Sequence, residues 1–482
     1  MASETPRTEE GREDAYSKWY IDTVLGAKLA DYTPVRGSMV IRPYGYAIWE
    51  AIQNYVDRAL KATGHTNAYF PVFIPLSFIQ KEAEHVEGFA PQLAVVTHGG
   101  GEELAEPLVV RPTSETIIYD MLSKWIESYR DLPVLLNQWA NVVRWEIRTR
   151  PFLRSMEFLW QEGHTAHATF EEADHEARLI LDLYVGFIEG ELAIPVLPGR
   201  KTESEKFAGG LITYTMEALM GDARALQMGT SHNLGQNFSK AFDVTFLTRE
   251  GTRDYPWSTS WAVTTRLIGA LVMVHGDKKG MRLPPRIAPI QVIIVPIWRS
   301  DEERSAVEPV VTAVQTQLAD AGVRVDADWR DQVRPGYKFN DWELKGVPVR
   351  LEIGPRDAAA AQVVAVRRDI PGKETVPLTA TLSRVSRLLD AVQANLFDEA
   401  RRFLDEHTST ADSWSQLEQI LDTTGGFVWV NWCDSKECEQ ALAGLKATVR
   451  AIPLVEADAE PIGPCICCGK EAQFRVTVAR SY

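Results

Sequence analysis

Residues 144–164 read Arg144-Trp-Glu-Ile-Arg-Thr-Arg-Pro-Phe-Leu-Arg-Ser-Met-Glu-Phe-Leu-Trp-Gln-Glu-Gly-His164. The two ends have the aromatic and aliphatic make-up of strands. The loop between them, 147–157, carries Arg148, Arg150 and Arg154 against Glu157 alone. The stretch therefore predicts a β-hairpin with a basic loop. Arg144 at its mouth offers a planar fork that can clamp a phosphate, and Phe158 can stack on a flat base. Taken alone, the same pattern is met more often in a solvated basic hairpin with a core phenylalanine.

Two segments outside the hairpin add to it. Downstream, Trp261-Ala-Val-Thr-Thr-Arg266-Leu-Ile-Gly-Ala-Leu-Val-Met-Val-His275 puts an arginine at the opening of an otherwise apolar helix. Arginine is almost never buried unpaired, so Arg266 is either a phosphate ligand or an ordinary surface residue at a helix start. Upstream, residues 44–63 predict a helix with Ile48, Ile52, Val56 and Leu60 on one face. Gly64 can cap it, and an extended run follows from Asn67 to Pro75. Pro71 within that run belongs at a sheet edge or an interface.

The chain has 482 residues, which suggests roughly three domains at about 100–200 residues each. Its 45% apolar and 24% charged content is ordinary for a globular protein. The net charge of -15 excludes a polycation that coats nucleic acid, so any such partner must be met by local basic patches. Residues 1–15 are polar and lack apolar periodicity, as expected of a flexible arm, and they carry no secretory apolar core. The longest apolar runs are far too short for a bilayer, so a cytoplasmic chain with no membrane partner is expected.

A boundary falls at Leu283-Pro-Pro-Arg-Ile-Ala-Pro-Ile-Gln-Val-Ile-Ile-Val-Pro-Ile-Trp298. Its prolines break any helix, and Gln291–Ile297 has the pattern of a buried strand. Strands and helices then alternate, which predicts an α/β unit with parallel strands over 287–380. A long amphipathic helix near 382–404 opens the last unit, 381–482. All five cysteines lie there: Cys433, Cys438, Cys465, Cys467 and Cys468. Two short-spaced pairs can build a tetrahedral thiolate site. Cys433, Cys438, Cys465 and Cys468 are the expected ligands of a structural Zn2+, with Cys465 and Cys467 as an alternative second pair.

The three arginine- and proline-bearing segments resemble, in order and character, the three signature motifs of class II aminoacyl-tRNA synthetases. Longer strings narrow the resemblance. They are Arg111-Pro-Thr-Ser-Glu115, Trp160-Gln-Glu-Gly-His164, Glu205-Lys-Phe-Ala-Gly-Gly210, Gly229-Thr-Ser-His-Asn-Leu-Gly-Gln-Asn-Phe-Ser-Lys240 and Lys338-Phe-Asn-Asp-Trp-Glu-Leu-Lys-Gly-Val-Pro-Val-Arg350. They look like the prolyl-tRNA synthetase family, from about Tyr16 to Tyr482. The archaeal–eukaryotic type is the one resembled, because only about 100 residues separate Glu162 from Arg266 and leave no room for an editing insertion.

The resemblance implies an α+β fold: a class II antiparallel-sheet catalytic domain over 16–286, an α/β anticodon-binding domain over 287–380, and a linking helix with a small α+β zinc-binding domain over 381–482. It implies ligation of L-proline to tRNA(Pro) through prolyl-adenylate, with Mg2+ accompanying ATP. Arg144 and Arg266 take the catalytic roles. Arg144, Glu146, Arg154, Phe158, Gln227 and Arg266 are the implied ATP residues. Thr113, Glu115, Arg144, Trp160, Glu162, His164, Phe207, Ser231 and His232 are those for proline. Glu343, Lys345 and Arg350 are candidates for reading the anticodon, with Lys338 and Arg356 on the tRNA backbone and Arg148 and Arg150 toward the acceptor end. Ala262 stands where the family more often has glycine, and the terminal Tyr482 is implied to approach the active site. A homodimer is implied as well, with Trp49 and the strand before Pro71 at its interface. A synthetase-like binding module that no longer charges tRNA is the competing reading, and the retained Arg144, Arg266 and Glu115 speak against it.

Overall fold

A computed structural model of the chain describes residues 9–81 and 93–482. Helix α1 (Glu9–Gly26) opens it. The segment expected as an arm over 1–15 is thus helical from residue 9, and residues 1–8 lie outside the described residues. Tyr20 and Val24 are fully buried, and a helix anchored at one end extends at little further cost. Helix α2 (Pro43–Ala62) starts on a proline, whose missing N–H is no loss there. Its buried stripe includes Ile48, Ile52, Val56 and Leu60, at the helical period. Trp49, expected at a subunit interface, is turned into its own chain. It is 1% exposed in the chain's own core, edge-on to Trp139 with ring centres 5.7 Å apart. Gly64 ends the helix at φ +92°, a backbone open to glycine. The extended run divides into β1 (Thr66–Asn67) and a separate strand, Phe73–Pro75, with Pro71, which has no N–H for a ladder, between them.

Helix α3 (Glu115–Trp125) precedes the hairpin. The hairpin is β2 (Val134–Val143) and β3 (Glu157–His167), antiparallel from Val143↔Glu157 to Val134↔Ala166. Helix α4 (Phe170–Gly190) begins at a reciprocal cap between Thr169 and Glu172. Then come β4 (Leu197–Arg200), β5 (Ile212–Leu219), β6 (Ala225–Gly235), β7 (Trp257–Thr264) and helix α5 (Arg266–His275). One face of this sheet is sealed by helices, with Ile180, Tyr184, Phe187, Met216, Trp261 and Leu271 in a shared core. The opposite face is left for the cleft.

The second unit holds β8 (Val292–Pro296), α6 (Asp301–Asp320), β9 (Val325–Ala327), α7 (Pro335–Leu344), β10 (Val349–Ile353), β11 (Gln362–Arg367) and β12 (Glu374–Pro377). Its sheet runs β9-β8-β10-β11-β12. The first three strands are parallel and the last two antiparallel. Helix α8 (Thr381–Glu406) joins everything. Val385, Leu388 and Leu389 complete the second unit's core, Val392 and Leu396 pack on Ala193, and Leu404 packs with Leu219 and Phe427.

The last unit contains β13 (Thr408–Thr410), β14 (Phe427–Trp432), α9 (Lys436–Ala441), β15 (Thr448–Pro453) and β16 (Phe474–Ala479). Strand β15 pairs with β4 through Ile452↔Arg200 and Pro453↔Gly199. The two sheets thereby become one of eleven strands, in the order β13-β14-β16-β15-β4-β5-β6-β7-β3-β2-β1. Gly199 permits the join, since a Cβ there would lie 2.6 Å from that of Ala451.

Candidate functional site

The free face of the sheet forms a cleft of about 380 Å3 between the hairpin, β5, β6, β7 and the N-terminus of α5. Side chains alternate along a strand. On β3 this brings Phe158, Trp160, Glu162 and His164 together on the cleft side. The intervening Gly163 is required: a Cβ there would sit about 2 Å from the Trp261 indole. On β6, Thr230 and His232 face the cleft. A bulge shifts the register from Met216↔Gly229 to Glu217↔Gln227 and brings Gln227 to the same side.

Of the expected ATP and proline residues, Thr113, Glu115, Arg144, Glu146, Arg154, Phe158, Trp160, Glu162, His164, Phe207, Gln227, His232 and Arg266 all line this cleft. Ser231 does not. It lies on the other face of β6, fully buried, where Oγ donates to the Ala177 carbonyl at 2.7 Å. Thr230 occupies the cleft face in its stead, which the period-2 rule would have assigned from His232. Glu205, Ser260, Ala262 and Thr264 also line the cleft; of these, only Ala262 was singled out in the sequence.

One end of the cleft is a network of buried carboxylates and their donors. Glu162 Oε1 accepts from Ser114 Oγ at 2.6 Å and Gln138 Nε2 at 2.7 Å, and Oε2 faces His164 Nε2 at 2.9 Å. Burial opposes charge on His164, but Glu162 and then Glu115 outweigh it and raise the imidazole above its usual value. Thr113 Oγ1 donates to Glu115, the first residue of α3 and 3% exposed. His232 behaves oppositely. Burial pushes it down to about 4, with Glu115 pulling upward and His164 adding to the fall. Its Nδ1 is 2.9 Å from Thr213 Oγ1, and its ring centre is 4.7 Å from that of Phe207.

At the other end the charge is positive. Arg144 follows β2 directly, donates through Nε to the Pro112 carbonyl at 3.0 Å, and lies over Phe158 and Trp160 at 5.5 and 5.7 Å. Arg266 is the first residue of α5 and donates through Nη1 to the Gln227 carbonyl at 3.2 Å. Burial, with Arg144 and Arg154 nearby, brings its guanidinium down to about 10. Cations gathered at a helix N-terminus form an anion site. The hairpin loop is not a loose solvated one. Phe152 and Leu153 are buried, and Tyr20 holds the Pro151 carbonyl at 2.6 Å. Trp145, Ile147 and Arg148 remain exposed. Arg150 lies over the ring of Tyr482, 5.4 Å away.

In the second unit, Arg350 is largely buried between Glu352, at 3.1 Å, and Glu343, at 3.2 Å, above the Phe339 ring at 4.3 Å. Lys345 sits over Trp342 at 4.1 Å, and its carbonyl accepts from Tyr44. Lys338, expected on a nucleic-acid backbone, is 2% exposed and bonded to the Asp328 carbonyl, so it is a structural lysine. Arg356 is exposed.

In the last unit the sulfurs of Cys433, Cys438, Cys465 and Cys468 all lie within 4.8 Å of one another. The Cys433–Cys468 separation of 3.7 Å is about the tetrahedral edge expected for zinc–sulfur bonds of roughly 2.3 Å. Burial raises the Cys433 thiol, but bonds from Ser435 and the other sulfurs bring it down to about 6. Cys467 is exposed and outside the set. The donor set and spacing fit a closed zinc site.

Comparisons with known proteins agree with this geometry. The profile "tRNA synthetase class II core domain (G, H, P, S and T)" matches residues 97–275, "Anticodon binding domain" matches 291–388, and "Prolyl-tRNA synthetase, C-terminal" matches 414–482. A proline–tRNA ligase of Natranaerobius thermophilus is 53% identical over 99% of this chain and 98% of its own length. The chloroplastic/mitochondrial proline–tRNA ligase of Arabidopsis thaliana is 51% identical over 99% of this chain and 88% of its own. Among solved structures, prolyl-tRNA synthetase of Cryptosporidium parvum, complexed with halofuginone and AMPPNP, is similar with a TM-score of 0.91 and 40% identity, covering 97% of this chain and 95% of that one.

Proposed function

The chain belongs to the proline–tRNA ligase family of class II aminoacyl-tRNA synthetases, and from that premise we propose how its cleft works. The enzyme ligates L-proline to tRNA(Pro) in two steps. A proline carboxylate oxygen attacks the α-phosphorus of ATP, the bond to the β-phosphate oxygen breaks, and pyrophosphate leaves. The terminal adenosine hydroxyl of tRNA then attacks the prolyl carbonyl and AMP departs.

The first step brings two anions together, so its demands are charge neutralisation and alignment. Arg144 clamps the α-phosphate and Arg266 the rest of the triphosphate, with Arg154 adding charge. Phe158 stacks on the adenine, Glu146 meets its amino group, and Gln227 touches phosphate. Thr113 and Glu115 hold the secondary ammonium of proline. Glu162 is engaged by three donors, so it orients His164 and Ser114 instead. Trp160, Phe207, His164 and His232 form the wall around the ring. Mg2+ bound with ATP would supply further charge neutralisation at its phosphates. The observation that carries the reading is the pairing, within one cleft, of a cationic end at Arg144 and Arg266 with a carboxylate end at Glu115. Exchange of labelled pyrophosphate into ATP, run with each of the twenty amino acids, tests it. Proline-dependent exchange is expected, and none with any amino acid would overturn it.

The domains run 16–286, 287–380 and 381–482; the profiles over 97–275 and 414–482 fall within the first and last, while the one over 291–388 runs past 380 into α8. The anticodon is read by Glu343, Lys345 and Arg350, supported by the cluster they form around Phe339 and Trp342. Cys433, Cys438, Cys465 and Cys468 would hold Zn2+, which would contribute stability. The archaeal–eukaryotic type is supported by the short interval between Glu162 and Arg266; given the bacterial relatives, that label describes an architecture and not a lineage. A homodimer is supported by Tyr69 and Phe73, which are 70% and 48% exposed near the edge strand β1. No helix among the described residues is long and apolar enough to cross a membrane. Cysteines grouped at one candidate metal site, with no disulfide among the described residues, fit a reducing cytoplasm.

A further inference from the structure

The last unit reaches the cleft through two buried polar contacts. The first starts at Glu439, beside Cys438 on α9. Its Oε1 accepts from Thr202 Oγ1 at 2.6 Å, and the two residues are 9% and 2% exposed. Thr202 is the pivot of the turn that follows β4. Its carbonyl accepts from the amides of Glu205 and Lys206 at 3.2 and 3.0 Å. That turn delivers Glu205 and Phe207 to the cleft wall. The Phe207 amide is bonded to Thr213 Oγ1 at 2.9 Å, and the same oxygen meets His232.

The second contact starts at Arg450 on β15. Its Nε and Nη2 donate to Glu217 Oε2 at 3.1 and 2.7 Å, while Nη1 holds Ser481 Oγ at 3.1 Å. Glu217 is fully buried. Its other oxygen accepts from Lys201 Nζ at 2.8 Å and Thr215 Oγ1 at 2.9 Å. Thr215 accepts in turn from Gln227 Nε2 at 3.3 Å, and the Gln227 carbonyl holds Arg266. A carboxylate buried this deeply stays ionised only when paired. Burial alone would raise it, and Lys201 and Arg450 together hold it below its usual value. Lys201 also donates to the Arg450 carbonyl at 3.0 Å, a main-chain acceptor that every Arg450 variant keeps.

We infer that the last unit positions the two substrate ends of the cleft separately: Glu439, through Thr202, sets the wall at the proline end, and Arg450, through Glu217, sets the Gln227–Arg266 arrangement at the nucleotide end. The inference rests on reading the cleft as the proline and ATP site. Glu439 and Arg450 are positioning residues, since each acts through another side chain.

The test is pyrophosphate exchange by the full, zinc-loaded chain, with proline and ATP titrated independently. Thr202→Val and Glu439→Ala raise the KM for proline roughly tenfold and leave that for ATP unchanged. Glu439→Gln keeps an acceptor and restores the wild-type value. Arg450→Ala raises the KM for ATP roughly tenfold and leaves that for proline unchanged, while Arg450→Lys, a point charge without the fork, recovers it in part. Metal content and the urea midpoint are measured on each variant. Should Arg450→Ala not fold, Arg450→Met keeps an apolar stem in the same space, leaves Glu217 paired with Lys201, and carries the same expectation. Folded, metal-loaded variants whose two KM values move together, or not at all, overturn the inference alone. A wild-type chain without proline-dependent exchange overturns it together with the substrate reading.

Discussion

His164 Nε2 stands 2.9 Å from Glu162 Oε2, with both side chains 2% exposed. Because Glu162 also accepts from Ser114 and Gln138, it is a fixed support and not a reacting carboxylate. Glu162→Gln removes the charge that raises His164, so the imidazole titrates at a lower pH in the variant. The wild-type pair stabilises the fold below the unfolded imidazole value of about 6.5, and that contribution is lost as pH rises through the raised folded value. Proton NMR titration of His164 reads the shift directly, and an unchanged midpoint would remove Glu162 as its cause.

Arg266 carries the nucleotide reading furthest from the hairpin. Arg266→Ala is expected to lower proline-dependent pyrophosphate exchange by roughly 10²–10³-fold, the scale of one lost transition-state donor. Arg266→Lys recovers only part, since lysine has no fork. The decisive comparison is kcat against KM: an effect confined to KM would make Arg266 a ground-state ligand only.

Acid stability follows from two buried histidines. His232 and His275 are both brought down to about 4, in each case by burial first. Between pH 6.5 and 4 the unfolded chain therefore binds more protons than the folded one, and stability falls as pH falls through that window. Each contributes on the order of 1–3 kcal/mol at neutral pH. Urea midpoints at pH 7, 5.5 and 4.5 should decline in that order. In His275→Asn the decline should be shallower, and an unchanged slope would exclude that residue.

The cysteine cluster makes a selective prediction. Purified protein is expected to hold one zinc per chain, and Cys433→Ser or Cys465→Ser to lose it together with part of the thermal stability. Cys467→Ser should keep the metal, because that side chain is exposed and lies outside the set. Elemental analysis of the three variants decides the matter, and metal loss in Cys467→Ser would exchange the ligand assignment.

Gly163 permits the close approach of the Trp261 indole to the sheet. A Cβ placed there meets that ring at about 2 Å, so Gly163→Ala forces the ring or the strand to move. The expected cost is about 1–3 kcal/mol, with weaker proline binding because β3 carries the pocket wall. Thermal unfolding checks the first part and exchange kinetics the second.

Much of this was legible in linear order. The hairpin, the helix opening on Arg266, the stripe of α2 and the alternation after residue 290 are local patterns, and side-chain period and turn residues report them directly. The errors were of another kind. Ser231 and Thr230 are neighbours in one strand, and which of them meets the cleft depends on the face that β6 presents to its partners. Trp49 and Lys338 look exposed and functional in sequence, yet each is buried against residues far along the chain: Trp139 in one case, Asp328 in the other.

The amino-acid order carried the class of chemistry through its resemblance to a known family, and by residue type and spacing it marked out three expected units, Arg144 and Arg266 as candidates, and five cysteines gathered in the last unit. Folding in three dimensions settled what lies beyond spacing. It closed Cys468 and not Cys467 into the cluster, joined β15 to β4 across Gly199, and brought Arg450 to Glu217 over a separation of 233 residues. Contacts of that range are chosen by packing and by the need to pair buried charge, and no local pattern carries them.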